Sequence, residues 1–290
     1  MSTSTTTHRS ALVAAIAITA ALMVAVNAPV ALAAPGDIFT VAGTTFGLSG
    51  DGGAATAAQL NFPFGVAVTA DGGYLIADSS NHRVRKVSPA GTITTVAGTT
   101  FGLLGDNGPA TAAQLSGPYG VAVTADGGFL IADSSNSRVR KVSAAGTITT
   151  VAGTTRGLSG DNGAATAAQL RGPFGVAVTA DGGFLIADTA NSRVRKVSAA
   201  GTITTVAGTT RGLSGDNGAA TAAQLRGPFG VAVTADGGFL IADTGNNRVR
   251  KVSPAGTITT VAGTTTFGLS GDSCAADAAQ LSVPTGVADR

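Results

Sequence analysis

Several chemistries are missing from this chain. No glutamate occurs among its 290 residues, because all 16 acidic residues are aspartates. Acid–base mechanisms built on glutamate are therefore excluded. There are only two histidines, His8 and His82, and a single cysteine, Cys274. A metal centre of histidine or thiolate ligands cannot be assembled from so few, and no internal disulfide can form. Tryptophan is absent and only 12% of residues are charged. A net charge of +2 is too small to point to nucleic acid. What the chain has instead is 42 glycines alongside 44% apolar residues, enough to bury a core, so the glycine content does not imply disorder.

The first 33 residues read as a secretory signal peptide. His8 and Arg9 precede an apolar run from Ala11 to Val26, followed by Asn27, Pro29 and the small-x-small sequence Ala31-Leu32-Ala33. The competing reading is an uncleaved anchor, since the run falls only a little short of the ~20 residues that span a bilayer. Cleavage after Ala33 leaves a secreted or extracytoplasmic chain with no further long apolar run and hence no membrane contact. No Asn-x-Ser/Thr glycosylation sequon follows Ala33.

The rest is a repeat. Gly65, Gly120, Gly175 and Gly230 each open the same Gly-Val-Ala-Val segment at intervals of 55, and Gly286 follows after one more copy. This periodicity overrides the two-domain expectation from length and makes 34–290 one repeat array. The complete units are 44–98, 99–153, 154–208 and 209–263, with partial ends at 36–43 and 264–290. Units three and four differ only at Ala190/Gly245, Ser192/Asn247 and Ala199/Pro254. Such near-identity reports architecture better than importance.

Each unit predicts an all-β structure. In the third, Gly175–Ala180, Phe184–Asp188, Arg193–Val197 and Thr202–Val206 are strands separated by Gly-containing or polar turns. Four short antiparallel strands bury one narrow sheet, so neighbouring copies must stack as the blades of a propeller. The connecting links, such as 208–228, carry a Gly-Asp-Asn-Gly loop, and Ala219–Leu225 predicts a single helical turn.

Three segments, Pro173-Phe174-Gly175-Val-Ala-Val, Gly183-Phe-Leu-Ile-Ala-Asp188 and Asn191-Ser-Arg193-Val-Arg-Lys-Val197, resemble the NHL repeat. The long link resembles that of teneurin-type and secreted bacterial NHL proteins. The resemblance covers 36–290 and implies a β-propeller of four-stranded antiparallel blades. It implies no particular activity, because propellers host unrelated ones. The N-terminal 36–43 matches a fourth strand and Gly286–Arg290 the start of a first, so four complete blades are expected between two partial ends, as an open or truncated ring.

In a four-stranded antiparallel blade, the turn between strands two and three and the link to the next blade leave at the same end. The linkers and the Asp188–Asn191 type turns should share one rim, the expected binding face. Three residue sets lie there. Asp78, Asp133, Asp188 and Asp243 each precede Arg83, Arg138, Arg193 and Arg248 by five residues. They are read as structural turn pairs across the hairpin and not as a carboxylate ring for a cation. Asp51, Asp106, Asp161, Asp216 and Asp272, one per Gly-Asp-x-Gly loop, are read as turn formers, since calcium needs six to eight oxygens. The third set differs between copies: Phe46 and Phe101 become Arg156 and Arg211, while Asn61 and Ser116 become Arg171 and Arg226. These four arginines form a candidate basic patch for an anionic polymer, with ordinary solvated arginines as the alternative. The remaining Arg-Val-Arg-Lys charges are read as solubilising the outer part of each blade.

Propeller lactonases rely on glutamate and propeller lyases on histidine. This chain offers neither beyond His82, and its Gly-Leu-Ser-Gly segments lack the Gly-x-Ser-x-Gly spacing of a serine nucleophile. Cys274 reads as a drifted repeat position. The expected function is a secreted binding or interaction scaffold without catalysis or cofactor, its partner a protein or a cell-envelope polymer and not nucleic acid. The alternatives are a lactonase-type propeller hydrolase or lyase, and a structural envelope protein.

Overall fold

The computed structural model describes residues 38–289. The signal segment 1–33 lies outside them. Every element below belongs to the unit Thr40–Arg290.

The first blade is β1 (Pro63–Val68), β2 (Tyr74–Asp78), β3 (Arg83–Val87) and β4 (Ile93–Ala97). The second and third blades repeat it as β5 (Pro118–Val123), β6 (Phe129–Asp133), β7 (Arg138–Val142), β8 (Ile148–Ala152) and β9 (Pro173–Val178), β10 (Phe184–Asp188), β11 (Arg193–Val197), β12 (Ile203–Ala207). The fourth holds β13 (Gly218–Ala219), β14 (Val231–Val233), β15 (Phe239–Asp243), β16 (Arg248–Val252) and β17 (Thr257–Ala262). Each sheet is an antiparallel meander. First strands of consecutive blades touch one another, so β1, β5, β9 and β14 are the inner strands.

Because blades two and three are packed on both faces, their strands run apolar without the alternation of a half-exposed sheet. Leu75, Ala77, Val84 and Ala97 on one face of blade one meet Val121, Ile131, Val142 and Ile148 of blade two, with Ala110, Ala113 and Leu115 of the link wedged between. The same arrangement recurs at the next two junctions. The ring is not closed by the described residues. Val66 is 62% exposed and Val68 75%, whereas Val121, Val176 and Val231, at the position of Val66, are each 7% exposed against a preceding blade.

The links depart from expectation. They are more than rim loops: each folds back along the outer edge of its own blade as a fifth rung. Gly52 donates to the Ile93 carbonyl at 2.8 Å, Ile93 to Gly53 at 3.0 Å and Ala55 to Gly91 at 2.7 Å. In blade four the rung is long enough to be a strand, β13 against β17. The outer edge of the sheet, which would otherwise invite another chain, is thereby covered. The expected helical turn is a short 3-10 helix, Ala220–Ala222, repeated as Ala55–Ala57, Ala110–Ala112 and Ala165–Ala167. The partial ends form no strand among the described residues 38–43 and 282–289. Thr285 and Gly286 nonetheless lie against Gly230, where the next inner strand would run.

Candidate functional site at the linker rim

The rim is assembled by hydrogen bonds between the two segments expected to share it. In each blade the turn asparagine donates through Nδ2 to a linker carbonyl: Asn81 to Gly47 at 2.7 Å, Asn136 to Gly102 at 2.6 Å, Asn191 to Gly157 at 2.7 Å and Asn246 to Gly212 at 2.7 Å. Each turn ends in a left-handed residue, His82, Ser137, Ser192 or Asn247. His82 packs edge-on against Phe101 with ring centroids 5.5 Å apart, and its Nδ1 accepts from the Gly117 amide at 3.2 Å. Among the described residues, no group of three His, Cys, Asp or Glu side chains could hold a metal ion.

The expected Asp78–Arg83 type pairs are corrected by the structure. Asp78 and Arg83 are opposed in register, as are Asp133 and Arg138, Asp188 and Arg193, and Asp243 and Arg248. The ion pairs, however, go to the arginine two residues on. Arg85, Arg140, Arg195 and Arg250 contact Asp78, Asp133, Asp188 and Asp243 at 3.4, 3.5, 3.5 and 3.5 Å. On its other side Arg85 meets linker Asp51 at 2.8 Å, and Arg140, Arg195 and Arg250 meet Asp106, Asp161 and Asp216 at 2.7, 2.8 and 2.7 Å. The cause is coverage. β3 residues 83, 85 and 87 share the face over which the linker folds, and the linker brings Asp51 onto Arg85, while Arg83 stays half-buried at the rim. Hence the loop aspartates are long-range ties and not merely local turn formers, and the middle arginine of each Arg-Val-Arg-Lys strand is fully buried and not a solubilising charge.

Each buried aspartate is further held. Asp133 accepts from the Ser116 amide at 2.7 Å and from Asn136 Nδ2 at 2.8 Å. Burial nonetheless pushes Asp133 and Asp188 up to about 6, against the pull of these donors and of Arg140 and Arg195, and it raises Asp78 and Asp243 as well. On the opposite rim, Lys86 together with Thr69 and the Gly73 amide holds exposed Asp71 well below the usual carboxylate range, and Asp126, Asp181 and Asp236 behave alike.

The sign of the resulting pH dependence follows. An aspartate whose folded pKa exceeds its unfolded value near 3.8 binds a proton on folding at intermediate pH, so stability falls as pH rises from about 4 to about 6. The exposed Asp71-type groups act below that window, and His82, whose pKa burial lowers, opposes the trend in part. The urea midpoint should therefore be higher near pH 4.5 than at pH 7. In an Asp133→Asn, Asp188→Asn double variant this difference should shrink, and a wild-type profile flat from pH 4 to 7 would contradict the assignment.

Arg156, Arg171, Arg211 and Arg226 are all exposed. Arg156 and Arg211 bridge to Leu170 and Leu225 in parallel register, as Phe46 and Phe101 do to Leu60 and Leu115, so the Phe-to-Arg exchange occurs at one structural position. None of the four takes part in an ion pair among the described residues, whereas Arg85, Arg140, Arg195, Arg250 and all four lysines do.

Sequence reasoning missed an aromatic row beside them. Phe64, Tyr119 and Phe174 are the second residues of β1, β5 and β9, Phe229 stands two residues before β14, and the four touch in series, with ring centroids 4.4, 4.2 and 4.4 Å apart. The signal was available: an aromatic follows the same proline at every interval of 55. Arg171 and Arg226 stand three residues before Phe174 and Phe229.

A wide cleft lies elsewhere, at the opposite rim. It measures about 1640 Å³ and is lined by the far ends of the inner strands and their turns. Its charged groups are already matched, Lys86 with Asp71 at 2.6 Å and Lys141 with Asp126 at 2.5 Å. The linker rim, with its unmatched cations, is the stronger candidate for recognition.

The model of the NHL repeat family matches residues 60–87, 115–142, 170–197 and 225–252, the first three strands of each of the four blades, counted from the inner strand. The chain belongs to the NHL-repeat β-propellers. Human teneurin-1 is 30% identical over 232 residues, 70% of this chain but 8% of the length of teneurin-1. Among solved structures, this NHL propeller resembles an auxiliary nutrient binding protein from Bacteroides thetaiotaomicron, with TM-score 0.59 and 15% identity, covering 81% of this chain and 55% of that one. It also resembles a chain of a nidogen/laminin complex, with TM-score 0.53 and 17% identity over 79% and 68% of the two chains. These two likenesses speak to the fold. Among the described residues, the NHL propeller has no helix long and apolar enough to cross a membrane.

Proposed function

We propose that this NHL propeller is an extracytoplasmic binding module without catalysis that holds an anionic protein or envelope polymer on its linker rim. One observation carries the reading. Arg156, Arg171, Arg211 and Arg226 are exposed cations without carboxylate partners, on a rim whose own aspartates, Asp161 and Asp216, are committed to Arg195 and Arg250. Uncompensated charge of one sign on a rigid scaffold raises the local concentration of the opposite sign. A role without catalysis is supported by the employment of the carboxylates: those buried at the rim are each tied by an arginine, an asparagine and a backbone amide, leaving no free acid–base pair. The extracytoplasmic setting rests on the Ala11–Val26 run and Ala31-Leu32-Ala33.

Replacing the four arginines by serine should abolish retention on an immobilised polyanion at low salt, with the fold unchanged because all four are exposed. Wild-type retention should fall steeply as salt is added. Equal retention of the variant and the wild type would refute the assignment.

A further inference from the structure

The rim is not uniform around the propeller. In blades three and four the variable positions carry Arg156, Arg171, Arg211 and Arg226. In blades one and two the same rim carries Phe46, Phe62 and Phe101, which are 69%, 63% and 67% exposed, and the link after blade four carries Phe267, 67% exposed, at the repeat position of Phe46. Leu104, where other copies have serine, adds a side chain 72% exposed. A cluster of large apolar side chains left in water marks an interaction site more often than isolated ones do.

Phe62 is the most informative of these. Its backbone is left-handed, with φ +47°, and the corresponding residues of blades two to four are Gly117, Gly172 and Gly227, with φ +55°, +57° and +56°. Glycine adopts this conformation without strain and phenylalanine does not. The ring gains little burial in exchange. It meets similarly exposed Phe46 edge to face, with centroids 6.2 Å apart. A strained, outward-facing aromatic contributes little to this fold that glycine would not, which points to a contact outside the chain.

We propose that the partner is a protein segment with two unlike ends: an apolar end seated on Phe46, Phe62 and Phe101, and an acidic end held by Arg156, Arg171, Arg211 and Arg226. This rests on the anion-binding reading above. The separation of the two patches selects the ligand class. A uniform polyanion has use for the arginines alone, and a bilayer presents the same groups to every blade. A ligand with separate apolar and acidic parts matches the phenylalanines of blades one and two beside the arginines of blades three and four, the combination of aromatic and arginine anchors common in protein interfaces.

The test uses two synthetic peptides, each with four glutamates at one end of a Gly-Ser spacer. One carries Leu-Phe-Leu at the other end and the control carries Ser-Ser-Ser. Spacers of about 4 to 12 residues cover separations of roughly 10 to 20 Å. At least one apolar-ended peptide should bind wild type about tenfold tighter than its control. In a Phe46→Ser, Phe62→Gly, Phe101→Ser variant that preference should vanish while affinity for the control peptide is retained. Phe62→Gly alone should raise the urea midpoint while weakening the apolar-ended peptide, a combination that a purely structural Phe62 would not produce. Equal binding of the two peptides at every spacer length would overturn the proposal. So would binding to phosphatidylglycerol vesicles that depends on the same three phenylalanines and exceeds peptide binding. Loss of anion binding is read separately. If the four-arginine variant still holds the control peptide, the underlying anion reading fails, whatever the phenylalanines do.

Discussion

Arg140→Met should destabilise the propeller by about 3–5 kcal/mol at pH 7, among the largest losses available from a single side chain. Arg140 is fully buried, and its guanidinium lies between Asp133, itself 0% exposed, and linker Asp106. Methionine matches much of the arginine's length and removes only the charge. What remains is a buried carboxylate without its cation, and the cost of leaving that charge uncompensated exceeds what the intact pair contributed. Two features make the prediction specific. The loss should be smaller at pH 5, because Asp133, already raised by burial, can then be neutral. It should also be partly recovered in an Arg140→Met, Asp133→Asn double variant. Denaturant titration at both pH values is the measurement. A loss below about 1 kcal/mol would mean that the pair behaves as a solvated surface pair.

Gly120→Ala should disrupt the junction between blades two and three at a cost of about 1–3 kcal/mol or more. A methyl group on Gly120 would press into the Phe174 carbonyl oxygen and approach the Gly175 backbone, at 3.2 Å from its Cα. The obstacle is backbone and cannot rotate away, so the inner strands β5 and β9 must separate. Blade contacts run between nearest neighbours, so separation at one junction should also lower the cooperativity of unfolding and the denaturant slope. Gly286→Ala is the control. Gly286 occupies the same repeat position, but an added methyl group meets nothing within 4 Å among the described residues. Equal effects at the two glycines would show that backbone entropy, and not the junction, governs both.

Much of this fold is legible in one repeat. Strands over Phe184–Asp188 and Arg193–Val197 follow directly from β-branched and apolar runs between turns, and their observed limits coincide with those expected. Antiparallel connectivity alone places Asn191 and the Gly157 linker on one rim. The pairing of charges was less legible. Register puts Asp188 opposite Arg193, and a hairpin considered by itself favours that pair. The partner is Arg195 because the linker folds over this face and brings Asp161 from 34 residues earlier. The aromatic row was hidden for a related reason. Phe174 precedes the strand expected from Gly175, and only the convergence of inner strands from separate blades brings it to Tyr119 and Phe229.

The sequence by itself determined the repeat, the four-stranded blade and the rim on which the variable residues stand. These follow from a 55-residue period and from the short β-branched and apolar runs between turns that every copy displays. Tertiary structure decided what identical residues do. Val66 and Val121 have the same neighbours in sequence, yet one is 62% exposed and the other 7%. Gly120 and Gly286 both precede Val-Ala, yet only one is pressed by another backbone. Burial is set by the blade alongside, and a single repeat contains no record of which neighbour it will meet.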